Sequence, residues 1–368
     1  MRRRRAEAGA YAWLFRLWRA VLLWVWIRSC GMEIVIPPLA CWRETCKPRA
    51  SMSILDGYKA SLKPLEVEEP IDVYVHRPLG YLVALLTFRT PISPDLITLA
   101  SIVAGIGAGV CIVWRFPYHL PVAGALVFLS AVLDCADGQL ARMRKTSSAF
   151  GRMIDGEADL IVMLSVVPAA LVQVWRLYDN DPWLAGTVVG ISIFAVVTSS
   201  FHTGMYDHYK NVYLHLAHPS YRDGEDYETA RERWEKGASG QPFWKRLSWQ
   251  VYFFYIKSQA GYVAGFDPYT SARFALFPAY DPQRAAVYRE QNLRVLRVWR
   301  SLFGFGSLVF GTAMFVALGR PDVYLLYRLL ILNGIFYLYL RPAQRRASRQ
   351  AFEQMGLRMP DQKWSDGT

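Results

Sequence analysis

Cysteine is scarce in this chain. The five cysteines among 368 residues are Cys30, Cys41, Cys46, Cys111 and Cys135, an odd and scattered set. Such a set excludes a disulfide framework and offers no zinc spacing. Histidine is scarce too, and four of the six, His202, His208, His215 and His218, fall close together. No cysteine and no clean i, i+4 pair accompanies them, so interfacial or packing histidines are preferred to a zinc site. Charged residues make up only 20% of the chain, against 53% hydrophobic, where a soluble domain carries about a quarter. Residues 120–133 and 160–175 contain nothing ionisable. No repeat or low-complexity segment stands out.

The charge that is present is mostly positive. Lys and Arg total 42 against 30 Asp and Glu, a net charge of +12. Such an excess suits nucleic acid or an anionic lipid surface, and the apolar runs favour the bilayer. Residues 1–51 carry ten of the basic residues, three acids and the tryptophans Trp13, Trp18, Trp24, Trp26 and Trp42. They read either as a basic amphipathic or targeting extension, or as sequence that is not native and precedes a start at Met52. Residues 52–93 form a polar lead-in. Within it Leu79–Phe88 is too short to span and reads as a helix lying at the cytoplasmic interface.

Six spans follow, at roughly 94–114, 118–145, 150–176, 183–205, 300–318 and 323–340. The predicted fold is an all-α integral membrane protein with six transmembrane helices and an N-terminal interfacial helix. The connection over 206–296 is long, and its Gln241–Lys257 stretch, rich in Trp, Tyr and Phe, suits a helix lying on the membrane. Residues 341–368 read as a basic cytoplasmic tail. Arg328 is expected near the outer end of the last span, where it can snorkel. Gly105 and Gly109 form a GxxxG, read as packing within one subunit. Basic residues set the orientation. Arg142, Arg144, Lys145 and Arg152 flank one loop and Arg341, Arg345, Arg346 and Arg349 the C-terminal end, so both termini and that loop face the cytoplasm.

That loop lies inside an unusual stretch. Asp134 and Asp137 are spaced i, i+3, and Asp155 and Asp159 are spaced i, i+4. On helices each spacing places both carboxylates on one face. Sixteen apolar residues after Asp159 rise about 24 Å, against a hydrocarbon core of about 30 Å. Both pairs are therefore expected just inside the cytoplasmic edge. Four acids beside lipid are costly unless a cation compensates them. Carboxylate oxygens suit Mg2+ or Mn2+. A charged loop between two spans explains the basic residues here but not four acids on helix faces.

The pattern resembles the signature D-x2-D-G-x2-A-R-x8-G-x3-D-x3-D of the CDP-alcohol phosphotransferase family. Asp134, Asp137, Gly138, Ala141, Arg142, Gly151, Asp155 and Asp159 match every fixed position. Pro94-Asp95-Leu96-Ile97-Thr98 is similar to the family's Pro-Asn-x-Ile-Thr element, with Asp95 in place of Asn. The resemblance implies a two-metal site of Mg2+ or Mn2+ held by Asp134, Asp137, Asp155 and Asp159, with Asp159 also the catalytic base. It implies nucleotide binding by Asp134, Gly138, Ala141, Arg142, Gly151, Pro94 and Thr98. The implied reaction moves a phospho-alcohol group from a CDP-linked donor to a hydroxyl acceptor and releases CMP, in phospholipid biosynthesis.

CDP-diacylglycerol is the preferred donor. An aminoalcohol phosphotransferase acting on diacylglycerol is the nearest alternative, and a cation transporter with intramembrane carboxylates the alternative of another class. The expected partners are these substrates and membrane lipids, with no nucleic acid and with a second copy of the chain as a candidate. The expected place is a multi-pass position in a prokaryotic cell membrane, in preference to an endomembrane, with the active site on the cytoplasmic side.

Overall fold

A computed structural model describes residues 57–58, 61–62, 64–144, 146, 149–218, 231–232, 235, 243–272 and 280–357, excepting the side chains of 149–157 and of part of 243–251. The reading of residues 1–51 lies outside these. Among the described residues there are helices and no strand. A π-helical turn, Asp72–His76, leads into α1, Arg77–Thr87. Then come α2 (Pro94–Val113), α3 (His119–Arg144), α4 (Ala149–Leu177) and α5 (Pro182–Ala217). The chain continues through α6 (Phe243–Phe266), α7 (Pro268–Ser271), α8 (Pro282–Leu302) and α9 (Phe305–Ala317). It ends with α10 (Pro321–Tyr327), α11 (Asn333–Ile335) between two π-helical turns, and α12 (Arg341–Gln354). By length and composition, six helical stretches among the described residues can cross a membrane: Pro94–Val113, His119–Arg144, Ala158–Leu177, Pro182–Ala217, Pro282–Ala317 and Pro321–Gln354.

The chain forms two compact units. The first runs to Val189 and includes Gly306–Tyr324. Its α2 starts as the sequence dictates. The Ser93 side chain accepts from the Leu96 amide at 3.2 Å, Pro94 takes the first position, and Asp95 lies exposed in the first turn. All three features suit a helix N-terminus. Lipid tails give helices no hydrophobic reason to pair, so close packing and polar clasps carry the association. The interior of this unit is accordingly built from small residues: Ala108 with Ile112, Ala123 with Val127, Val166 with Ala169, and Ala313 with Val316. Gly105 lies against Val162 of α4 and Gly109 against Ser165, where any Cβ would collide. The GxxxG thus packs helices within one chain. Ser101 and Ser130 donate to each other's carbonyls at 3.0 and 2.9 Å and join α2 to α3.

The stretch expected as an interfacial helix falls in α1. It buries Arg77, Gly80, Tyr81 and Ala84 and exposes Leu79, Leu82, Leu86 and Phe88. The apolar exposed face is the one that lipid would cover. The last of α9 and of α12 close alike, with Gly319 and Gly356 at positive φ of 71° and 70°. Arg320 N donates to Phe315 O and Leu357 N to Phe352 O, the closing bonds of a helix-ending turn that favours glycine.

The second unit, Gly190–Phe305 with Leu325–Thr368, departs from expectation in three ways. The helix of the fourth expected span, α5, continues to Ala217 and another, α8, begins at Pro282, so much of the stretch expected as a connection is helical. The stretch expected as a tail is helical to Gln354, with Gln344, Ala347, Ser348, Ala351 and Phe352 buried. Hydropathy marks only the apolar part of each helix, and these extensions carry polar residues. Arg328 does not snorkel either. It is 1% exposed and its Nε donates to Ser199 Oγ at 2.7 Å. Its helix face also carries the buried Leu332 and Phe336. That face turns to protein, and snorkelling needs a lipid-facing side chain.

Candidate active site

The first acid pair sits in the C-terminal half of α3. Asp134 is half-buried and Asp137 is buried, one turn apart on the same face. Thr98, in the first turn and a half of α2, donates its hydroxyl to Asp137 Oδ2 at 2.5 Å and to Pro94 O at 3.2 Å. The structure thereby joins two motifs that are 39 residues apart. A hydroxyl donated to a carboxylate both stabilises its charge and fixes its orientation.

Around the next turn, Gly138 and Ala141 are half-buried. A Cβ on Gly138 would lie 3.3 Å from Arg142 Nη1 and 3.7 Å from Nη2. The guanidinium therefore lies along the helix surface beside Gly138, where a side chain would displace it. Arg142 Nε donates to the Ser61 carbonyl at 2.7 Å. Gly151, Asp155 and Asp159 lie in α4. Asp159 is half-buried, whereas the contacts of Gly151 and Asp155 lie outside the described residues. Among the described residues no three metal-ligating side chains gather into a cluster. By ligand type alone, the carboxylate oxygens of Asp134, Asp137, Asp155 and Asp159 suit Mg2+ or Mn2+.

Several residues near this site gave no signal in the sequence. Gln139, fully buried, donates to Ser61 Oγ at 3.1 Å. Gly80 lets α1 press on α3, since its Cβ would come within 3.0 Å of Cys135 Cβ and 2.9 Å of Gln139 Oε1. Cys135 is thus a small residue in a packed contact. Arg77 pairs with Glu68 at 3.0 Å. Burial lowers the Arg77 pKa, but the carboxylates of Glu68 and Asp72 outweigh it and hold the value above the ordinary one. His76 Nδ1 lies 2.8 Å from Asp72 Oδ1, and Glu69 accepts from Ser307 N at 3.1 Å, capping α9. An exposed-looking run of charge in the lead-in is therefore a packed ionic layer beside α3. The one hint is that its acids precede a helix too short to span.

Arg144 has a different task from substrate binding. Its guanidinium donates to the carbonyls of Ile92, Thr87, Phe88 and Thr90 at 2.6, 2.6, 3.0 and 2.9 Å. It caps the end of α1 and ties α1 to α3. Lys145 lies outside the described residues. Among the histidines, His202 is 1% exposed between the rings of Phe303 and Phe336, a packing role.

Residues 91–213 match the CDP-alcohol phosphatidyltransferase family. The chain is 33% identical over 140 residues to a bifunctional IPC transferase and DIPP synthase of Rubrobacter xylanophilus, over 36% of this chain and 30% of that protein. It is 32% identical over 117 residues to a phosphatidylinositol phosphate synthase of Corynebacterium glutamicum, over 32% and 51% of the two chains. It is 35% identical over 95 residues to a CDP-diacylglycerol–glycerol-3-phosphate 3-phosphatidyltransferase of Cereibacter sphaeroides, over 25% and 40%. The matches span about half or less of the relatives' own lengths.

Proposed function

We propose, from the CDP-alcohol phosphatidyltransferase domain that residues 91–213 form, that this chain is a membrane phosphotransferase. It moves a phosphatidyl group from CDP-diacylglycerol to an acceptor hydroxyl and releases CMP. The observation that supports this most is the bond from Thr98 to Asp137, because it brings the Pro94–Thr98 element onto the acid motif. Two relatives are named as a phosphatidylinositol phosphate synthase and a CDP-diacylglycerol–glycerol-3-phosphate 3-phosphatidyltransferase. Their names favour the lipid donor over soluble CDP-choline or CDP-ethanolamine. They also put phosphorylated alcohols first among acceptors to test.

In this reading Asp134, Asp137, Asp155 and Asp159 hold Mg2+ or Mn2+, which when bound neutralises the pyrophosphate and the departing CMP. Gly138 and Ala141 keep the surface low where cytidine lies. Arg142 pairs with a nucleotide or phosphate oxygen through its planar fork. Pro94 and Gly151 shape the rim. Asp159 takes the proton of the acceptor hydroxyl as its oxygen bonds to the β-phosphorus of the donor. The bond from that phosphorus to the bridging oxygen breaks, and the electron pair leaves with CMP. The site works at the cytoplasmic edge of the membrane, where a lipid phosphate and a soluble acceptor both reach. The test is CMP release by the purified chain from CDP-diacylglycerol across a panel of alcohols. Release with none of them, or equal release in excess chelator, overturns the reading.

A further inference from the structure

Ser61 stands 81 residues before Arg142, outside the matched domain, yet it is 2% exposed. Its backbone carbonyl accepts from Arg142 Nε at 2.7 Å and its hydroxyl oxygen accepts from Gln139 Nε2 at 3.1 Å. The same hydroxyl donates to Tyr58 O at 2.7 Å. Tyr58 is itself pinned, with its phenol donating to Val73 O at 2.6 Å and its ring edge-on to Tyr81 at 5.5 Å between centroids. Burial pushes the Tyr58 phenol up to about 12, so it stays a donor at physiological pH. Gly57 adds a close approach, since a Cβ there would collide with the Tyr81 hydroxyl. The lead-in is thus fastened to α1 at one side and to the motif helix at the other.

The consequence falls on the arginine fork. A guanidinium has five N–H donors in one plane, and fixing Nε fixes the direction of that plane. With Nε on Ser61, the Nη1 and Nη2 edge is the one beside Gly138. We propose that Ser61 is a positioning residue for the nucleotide site, holding Arg142 and Gln139 so that the guanidinium is set before the CDP-linked donor arrives. The inference rests on the functional reading above. Preorganised donors gain affinity because the ordering entropy is already spent.

The test is binding of CDP with Mg2+ to the purified full chain in detergent, by calorimetry. Ser61→Ala keeps the carbonyl that accepts from Arg142 but removes the hydroxyl's bonds to Gln139 and to Tyr58 that anchor that carbonyl, and should weaken CDP about three- to tenfold, the range of one lost neutral hydrogen bond. Ser61→Thr keeps the hydroxyl and should restore affinity, which a general packing defect would not do. In an Arg142→Lys background, which lacks the fork, the Ser61→Ala penalty should shrink to under about twofold, because the hydroxyl acts on CDP through the guanidinium that the anchored Ser61 carbonyl orients. A Ser61→Ala chain that binds CDP as the parent does overturns the proposal. So does a penalty of the same size with Lys at position 142. A parent chain that fails to bind CDP at all overturns the functional reading and this inference with it, whereas normal parental binding with an indifferent Ser61→Ala overturns only the inference.

Discussion

Thr98→Val is the sharpest perturbation of the acid motif. Valine keeps the shape of threonine and deletes one hydroxyl, so packing in α2 is preserved and the bond to Asp137 is lost. Asp137 is 5% exposed, so water cannot simply take the place of the donor. A hydrogen bond to a charged group is worth about 1.5–3 kcal/mol. At about 1.4 kcal/mol per factor of ten, that is roughly 10–150-fold. Independently, removing a group that orients a metal-binding carboxylate typically costs about 10–100-fold in metal affinity or activity. Both routes lead to the same expectation. The Mg2+ concentration for half-maximal CMP release should rise by about 10–100-fold, and the rate at saturating Mg2+ should fall less. Thr98→Ser retains the donor and should stay near the parent. A Thr98→Val chain whose Mg2+ titration overlays that of the parent would refute the orienting role of Thr98.

Other expectations follow from the same geometry. Asp134→Asn and Asp155→Asn should each lose CDP binding together with turnover, and activity of either in excess chelator would count against a two-metal site. Asp159→Asn should retain measurable CDP binding and lose most turnover; loss of binding as complete as in the other two would make Asp159 a metal ligand first and remove it as the base. A chain starting at Met52 should bind CDP as the full chain does, whereas one starting at Pro64 lacks Tyr58 and Ser61 and should bind more weakly. Arg144→Met deletes the donor to four carbonyls, and should lower thermal stability in detergent by about 2–3 kcal/mol, even where several bonds share one side chain. An unchanged melting temperature would mean that the end of α1 is capped by other means.

Much of the first unit was legible because its determinants are local. Ser93, Pro94 and Asp95 announce the start of α2, and the uncharged stretches announce α3 and α4. The acids Asp134 and Asp137 were placed on one face from spacing alone. What could not be read was which distant segment meets that face. Ser61 reaches Arg142 and Gln139 through a backbone carbonyl and a hydroxyl, and neither carries a periodicity. By sequence, Arg144 is one of the basic residues that set the orientation. Only the folded chain shows the carbonyls of α1 within its reach.

The second unit makes the complementary point. Hydropathy treats a polar residue as a mark of exposure, and here part of the interior is polar. Asp267 is 1% exposed, and its carboxylate accepts from Ser348 Oγ at 2.6 Å, from Tyr209 at 3.3 Å and from the Thr270 amide at 3.3 Å. Burial raises its pKa above the ordinary carboxylate value, against the pull of those donors. Gln344 accepts from Trp299 Nε1 at 3.0 Å and donates to Asn292 at 3.0 Å and to Ser348 at 3.1 Å. Every one of these polar groups would cost stability if left unsatisfied in a buried place. Together they satisfy one another, across α5, α7, α8 and α12. The helices extend past their apolar stretches for this reason. Residues that a composition scan assigns to a connection and a tail are the ones whose hydrogen bonds hold the unit's interior.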